Sequence, residues 1–409
     1  MAEKLSFEAP RGMRDFYPED MTWRNMVFDA FRAAGEAFGF EPYDACVVES
    51  YDLLARKAGE EVGEQIYHFL DKSERHIALR AEMTPTLARM VAQRQKELPF
   101  PLKWTTIAQC FRYERMTKGR KREHYQWNCD IIGEDSVLAE VEVLGAACDA
   151  LRRMGLTKDD FRVHVSSRRY LASLLERSGI PAEKHAQVFL ALDKRGKMPD
   201  AEIGAMLADG GLSEEEVAAT FRIMDVKSYE GCPELEELFR LAETAGFAEC
   251  LQFDIGVIRG LSYYTGIVFE CFDTKGEFRA IFGGGRYDNL LTTIGGEPTS
   301  AVGLGFGDVV VTELLKSRLG ADAAKSPKGV AVGFMFPEQR DAAVRFAAKL
   351  RAAGERVNLS LREQKPKRFF SRAVEGGAAK AAFIGPDDVA KGTVRVKDLA
   401  TREESEACL

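Results

Sequence analysis

CFRYERMTKGRKREHYQWNCDII, residues 110–132, is the stretch from which the rest of the chain can be read. An apolar segment, Trp104 to Phe111, leads into it, and a β-prone segment, Tyr125 to Ile132, leaves it. Between them lie Arg112, Glu114, Arg115, Lys118, Arg120, Lys121 and Arg122, with Gly119 at the centre. The pattern predicts two strands joined by a basic hairpin with Gly119 at its tip. Arginine at the strand ends suits a planar, multiply charged ligand, because the guanidinium fork matches phosphate oxygens and an ammonium does not. A solvated basic hairpin that protects an edge strand would give the same composition.

The chain around this hairpin has 409 residues, enough for two or three domains, and 45% hydrophobic residues can fill their cores. A net charge of −7 gives the surface as a whole no attraction for nucleic acid, so any such contact must come from local basic patches. Neither a membrane span nor a signal peptide is legible, and the expectation is a cytoplasmic protein. The eight cysteines form no CxxC pair and do not cluster with the five histidines, which points to reduced thiols and away from a zinc site or a disulfide frame.

Upstream of the hairpin, residues 9–19 read as an irregular arm. Asp20 is expected to cap a helix carrying Trp23, Val27, Phe31, Ala34 and Phe38 at helical spacing and ending at Gly39. That helix suits either a dimer contact or the core. A strand is expected near Cys46 to Val48. In Ile77 to Gln93 a short strand meets Thr84-Pro85 at the start of a helix. Glu82 and Thr84 thus stand at a junction that could face a pocket, although Thr84 could simply cap the helix.

Downstream, Glu134 to Arg153 reads as a helix, and residues 166–248 as a helical insertion. Sheet pattern returns from Leu251 to Asp273, where Arg259 stands among Ile258, Leu261, Tyr263 and Tyr264. An arginine in that setting needs an anion or a core carboxylate. Gly283, Gly284 and Gly285 allow a close backbone approach, and neither a P-loop nor a Rossmann fingerprint is present in that stretch. Thr299 to Leu315 reads as a glycine-punctuated strand running into a helix. After a linker at 320–328, residues 329–409 alternate as βαβαβ, a small α/β domain.

FRYER…KGR…REHYQ resembles motif 2 of the class II aminoacyl-tRNA synthetases. IRGLSYYTGIVFE resembles the segment specific to the histidyl-tRNA synthetase family. LRAEMTP, AIFGGGRYD and AVGLGFG are similar to the neighbouring family elements, in the same order. The resemblance implies an α+β catalytic core, an antiparallel sheet flanked by helices, built from residues 1–165 and 249–319. The helical segment 166–248 would interrupt this core, and 329–409 would form an α/β anticodon-binding domain.

It also implies ligation of histidine to its tRNA. The histidine carboxylate attacks the α-phosphorus of ATP and expels pyrophosphate, giving histidyl-adenylate, with Mg2+ held by the phosphates and no metal site of the protein's own; the 3′-terminal hydroxyl of the tRNA then takes the histidyl group and releases AMP. On the family pattern Arg112 contacts the α-phosphate, Arg120 the outer phosphates and Glu114 the adenine end. Arg259 stabilises the transition state from the opposite side. Glu82, Thr84 and Gln126 hold the amino and carboxylate groups, while Asp130, Tyr263 and Tyr264 surround the imidazole. Lys118, Lys121 and Arg122 face the tRNA acceptor end, and the expected assembly is a homodimer.

The chain departs from the family pattern in several places. Val309 and Val310 stand where motif 3 has a Glu-Arg pair, and Arg286 is a substitute for that arginine only by nearness in sequence. Cys46, Asp130 and Ser262 stand where proline, glutamate and aspartate are usual. Met116, Thr117, Lys121 and Trp127 also differ, and with them the expected reading of the acceptor end. The chain ends at Leu409 ahead of the family's final helix. A catalytically silent, synthetase-like regulatory subunit of ATP phosphoribosyltransferase is the alternative. Val310 favours it, and the arginines of motif 2, Arg259 and the anticodon-type domain oppose it.

Overall fold

The computed structural model describes residues 7–57, 65–115, 119–195, 198–257, 264–320 and 328–409. The chain divides into two compact units, one running through Gly320 and one from Ala321 to Leu409.

The first unit is built on an eight-stranded sheet in the order β1-β5-β6-β11-β10-β9-β7-β8. Its strands are β1 (Glu41–Pro42), β5 (Leu102–Phe111), β6 (Glu123–Ile132), β7 (Phe161–Ser167), β8 (Leu251–Phe253), β9 (Ile267–Asp273), β10 (Phe282–Arg286) and β11 (Ala301–Gly307). A smaller sheet, β2-β4-β3, is made of β2 (Val48–Ser50), β3 (His68–Leu70) and β4 (His76–Leu79). The large sheet carries the expected antiparallel ladder from β5 to β7, and its two edge pairs, β1–β5 and β7–β8, are parallel. The expected hairpin is β5 and β6, ten residues each, with Phe111 opposite Glu123.

Aromatic packing seats the first helix, Pro18–Ala37, on this sheet. Phe31 stacks on Trp127 at 4.7 Å between ring centroids and meets Phe306 edge-on at the same distance. Such pairs are worth about 0.5–1.5 kcal/mol beyond burial. Trp127 is fully buried and donates its indole N–H to Thr105 Oγ1, so it is a core residue and does not read the acceptor end. The helix buries Trp23, Val27, Phe31 and Ala34 and packs on helices Leu138–Arg153 and Asp308–Leu319. It is a core helix of this unit. It begins at Pro18, and Asp20 lies inside the first turn, accepting from the Tyr17 N–H.

Two other elements begin later than expected. The strand expected near Cys46 starts at Val48, and the helix expected from Glu134 starts at Leu138, because Glu134 accepts from the Ser136 N–H in a turn. β7 went unread in the sequence. Between β7 and β8 the described residues form helices Arg168–Arg177, Ala182–Lys194, Asp200–Asp209, Glu214–Met224 and Pro233–Thr244. One of them opens on a capping box between Ser213 and Glu216.

The second unit holds a five-stranded sheet in the order β13-β12-β14-β15-β16. These are β12 (Val330–Phe334), β13 (Val357–Leu359), β14 (Lys380–Ile384), β15 (Thr393–Asp398) and β16 (Glu404–Cys408). The first three are parallel, joined through helices Arg340–Ala352 and Pro366–Glu375, and the last two add antiparallel. Val332, Phe334, Phe346 and Ile384 fill the core.

Candidate active site

The alternation of β6 places His124, Gln126, Asn128 and Asp130 on one face of the sheet. Beside them runs β11, with Gly303 opposite Asp130, Gly305 opposite Asn128 and Gly307 opposite Gln126. A methyl group on Gly303 would overlap Asp130 Oδ1, and one on Gly305 would come within 2.9 Å of Gln126 Nε2. The glycines of AVGLGFG therefore make a floor over which polar side chains lie. Gly284 of the triple-glycine strand serves closeness of a different kind: a methyl there would strike the Gly303 carbonyl and the Phe269 ring.

On this floor Gln126 Nε2 donates to Asn128 Oδ1 at 3.0 Å, and the Tyr287 hydroxyl donates to Asp130 Oδ1 at 2.6 Å. The Asp130 carboxylate is buried, and Tyr264 and Tyr287 belong to one packed cluster with Leu87 and Val268. Tyr43 packs against that cluster and also against Met83, Ala108 and Cys110. Its hydroxyl is buried with no hydrogen-bond partner among the described residues, and burial followed by the nearby Asp130 charge pushes its pKa well up.

The hairpin base joins this face to the Glu82–Thr84 junction. The Arg112 Nε–H donates to the Ala81 carbonyl at 2.9 Å, the Phe111 N–H to the Arg80 carbonyl, and both Arg112 and Glu82 act electrostatically on the buried Cys110. Thr84 is buried and is the first residue of helix Thr84–Arg94; the position ahead of the helix belongs to Met83, so Thr84 is not its cap. His124 is kept neutral: burial, then the charges of Arg112 and Arg14, push its pKa down to about 3.

Further out on the hairpin Glu114 and Arg120 pair with each other at 2.8 Å, and Gly119 takes a positive φ of 82°. Lys121 is exposed. Arg122 is half-buried, with its guanidinium 3.7 Å from the Tyr113 ring centroid and its backbone N–H bonded to the Gly12 carbonyl. Lys118, Arg259 and Tyr263 lie outside the described residues, as do Met116, Thr117 and Ser262.

The structure overturns one assignment. Arg286 is buried, bound to both oxygens of Glu140 at 2.7 Å and to the carbonyls of Glu134 and Ser136. Every arm of the guanidinium is engaged in the core, so it cannot take the place of the motif 3 arginine.

Sequence reasoning also missed two arginines. Arg14, on the N-terminal arm, bridges Glu123 at 3.1 Å and Asp308 at 2.9 Å, and Asp308 Oδ1 also accepts from the Tyr125 N–H. Arg279 is exposed just ahead of β10; burial and the Arg120 charge lower its pKa, while Glu114 and Glu270 oppose them. Both lie in loops without periodicity, where a charged residue carries no pattern.

Two family profiles match the chain, one described as Histidyl-tRNA synthetase over residues 12–307 and one as Anticodon binding domain over 329–408. The chain is 42% identical over 414 residues to the chloroplastic/mitochondrial histidine–tRNA ligase of Arabidopsis thaliana, covering 98% of this chain and 85% of that one. It is 36% identical to the histidine–tRNA ligase of Opitutus terrae, covering 98% and 96%. In fold it is similar to the crystal structure of histidyl-tRNA synthetase from Nostoc sp. PCC 7120, with a TM-score of 0.83 at 22% identity over 99% of this chain and 97% of that one. With a family profile over most of its length and relatives 36–42% identical over 98% of it, the chain belongs to the histidyl-tRNA synthetase family.

Proposed function

We propose that the protein is a working histidine–tRNA ligase: it activates histidine with ATP to histidyl-adenylate and transfers the histidyl group to the 3′ end of histidine tRNA. The observation that carries this reading is the row Gln126, Asn128 and Asp130 on its glycine floor, joined through Arg112 to the Glu82–Thr84 junction. A row of polar groups with no room for a side chain beneath suits a small polar ligand held flat against the sheet.

In this reading Glu82, Thr84 and Gln126 hold the amino and carboxylate groups of histidine. Asp130, Tyr263 and Tyr264 surround its ring, with Tyr287 fixing the Asp130 carboxylate. Arg112 meets the α-phosphate, and Arg259 reaches it from the other flank. Displacement at phosphorus needs positioned positive charge more than covalent help, and both guanidinium groups supply it. Arg120 and Glu114 exchange their mutual ion pair for the outer phosphates and the adenine amine, and Arg279 joins Arg120 on the phosphates, supplying charge that Val310 lacks. Mg2+ arrives with ATP and offsets phosphate charge. Lys118, Lys121 and Arg122 approach the acceptor end, while the second unit binds the anticodon.

The full assignment includes a homodimer in the cytoplasm. All eight cysteines are free, which suits a reducing compartment. Val310 at the motif 3 position is the one observation on the side of a silent regulatory subunit. Histidine-dependent exchange of pyrophosphate into ATP, followed by charging of histidine tRNA, separates the two. A ligase does both, and a regulatory subunit does neither.

A further inference from the structure

A buried hydroxyl with no partner costs about 1–3 kcal/mol relative to one that is bonded, so such groups persist where something else meets them. Tyr43 is such a group. Its phenol oxygen is shielded from solvent, and no described residue bonds it. Its backbone is fixed, since the Tyr43 N–H donates to the Thr105 carbonyl and the ring lies 5.6 Å from Trp104. Trp104 is the cross-strand partner of Asp130, which brings Tyr43 to the same end of the polar row. The ring also bridges two clusters, one holding Tyr264 and Tyr287 and the other Met83, the residue ahead of Thr84.

Asp130 stands where the family pattern has glutamate. It is one methylene shorter, and the Tyr287 hydroxyl already holds one of its oxygens. A ring nitrogen that a glutamate would reach is then left short of a partner. A phenol can donate or accept, so Tyr43 can serve either nitrogen of a neutral imidazole.

We propose that Tyr43 is a specificity-determining residue of the histidine pocket, its hydroxyl hydrogen-bonding the imidazole beside Asp130. This rests on the histidine-activating function proposed above. The test is Tyr43→Phe, which removes one oxygen atom and nothing else. Histidine affinity by isothermal titration, without ATP, should fall roughly tenfold or more, the loss expected when a ligand group loses its partner. In pyrophosphate exchange the histidine KM should rise in step while the ATP KM stays within twofold. The melting temperature should hold or rise, because the phenylalanine buries no unmet hydroxyl. Histidine affinity within twofold of wild type overturns the proposal, and so does a lower melting temperature with both KM values raised alike. If the wild type binds histidine but shows no exchange, the ligase assignment fails while titration of the variant still decides the role of Tyr43. If the wild type does not bind histidine, both fall.

Discussion

Arg286 and Glu140 face each other in the core, both nearly inaccessible to solvent, joined by two 2.7 Å hydrogen bonds from Nε and Nη2 to the two carboxylate oxygens. The pair ties β10 to helix Leu138–Arg153, and the remaining donors close the turn at Glu134–Ser136. Arg286→Ala should therefore act on stability. Removing one partner strands a buried charge, which costs about 3–5 kcal/mol. Denaturant unfolding should show that loss, and Arg286→Ala/Glu140→Ala should recover part of it. A fully stable Arg286→Ala protein with a raised ATP KM alone would return Arg286 to the nucleotide site.

The Arg14 bridge gives a pH-dependent version of the same argument. Burial already lifts the Asp308 carboxyl above its ordinary 3.8 even with Arg14 beside it. In Arg14→Gln that carboxylate and Glu123 stay buried without their guanidinium, and the folded-state pKa of Asp308 climbs further. A carboxyl with a raised folded value takes up a proton on folding. Its contribution to stability is greatest in acid and declines as pH rises from 3.8 through the raised value. Relative to wild type, the variant should be about 3–5 kcal/mol less stable at pH 7, with the gap narrowing as pH falls. Equal stability at pH 7 would refute the bridge.

His124 titrates with the opposite sign. Its folded value near 3 lies below the ordinary 6.5, so the folded state holds fewer protons between those limits. Its contribution is fully present above 6.5 and is lost as pH falls toward 3. A shift of one unit corresponds to about 1.4 kcal/mol, and with partial solvent contact the recoverable amount is on the order of 2–4 kcal/mol. His124→Asn should flatten the acid limb of the stability curve by that amount. Parallel acid limbs for wild type and variant would contradict the enclosed, neutral ring.

Much of this architecture was legible because it obeys a period. The β5–β6 hairpin and the run from β11 into its helix carry alternation in the sequence, and the Thr84-Pro85 helix start carries a proline in its first turn. The first helix was legible in its apolar face, although Asp20 looked like its cap when Pro18 sets its start. What stayed hidden were contacts between segments distant in sequence. Arg286 looked available for nucleotide because Glu140 stands 146 residues away, and Arg14 looked like part of an arm because Asp308 stands 294 away. Trp127 looked like a surface departure, yet Phe31 covers it. Tyr43 gave no signal, since its importance lies in a bond that no described residue makes.

The vacancy at motif 3 yields the last prediction. β10 begins at Phe282, opposite Phe306, and Arg279 lies three residues before it, toward the sheet end where β11 gives way to Asp308, Val309 and Val310. Gly119 of the hairpin also reaches this end: a methyl group on it would touch Val310 Cγ2 at 3.5 Å. Arg279 and Arg120 repel one another there, with Glu114 and Glu270 as partial compensation. A polyphosphate resolves such a cluster, because each guanidinium gains oxygens in exchange for repulsion. Arg279→Ala should raise the ATP KM by about 10- to 100-fold, the equivalent of one charged hydrogen bond, with the histidine KM little changed. Adding Val310→Arg to that variant should restore part of the loss by returning a guanidinium to the motif 3 position. An ATP KM within twofold of wild type in Arg279→Ala would leave the missing charge to be supplied from elsewhere.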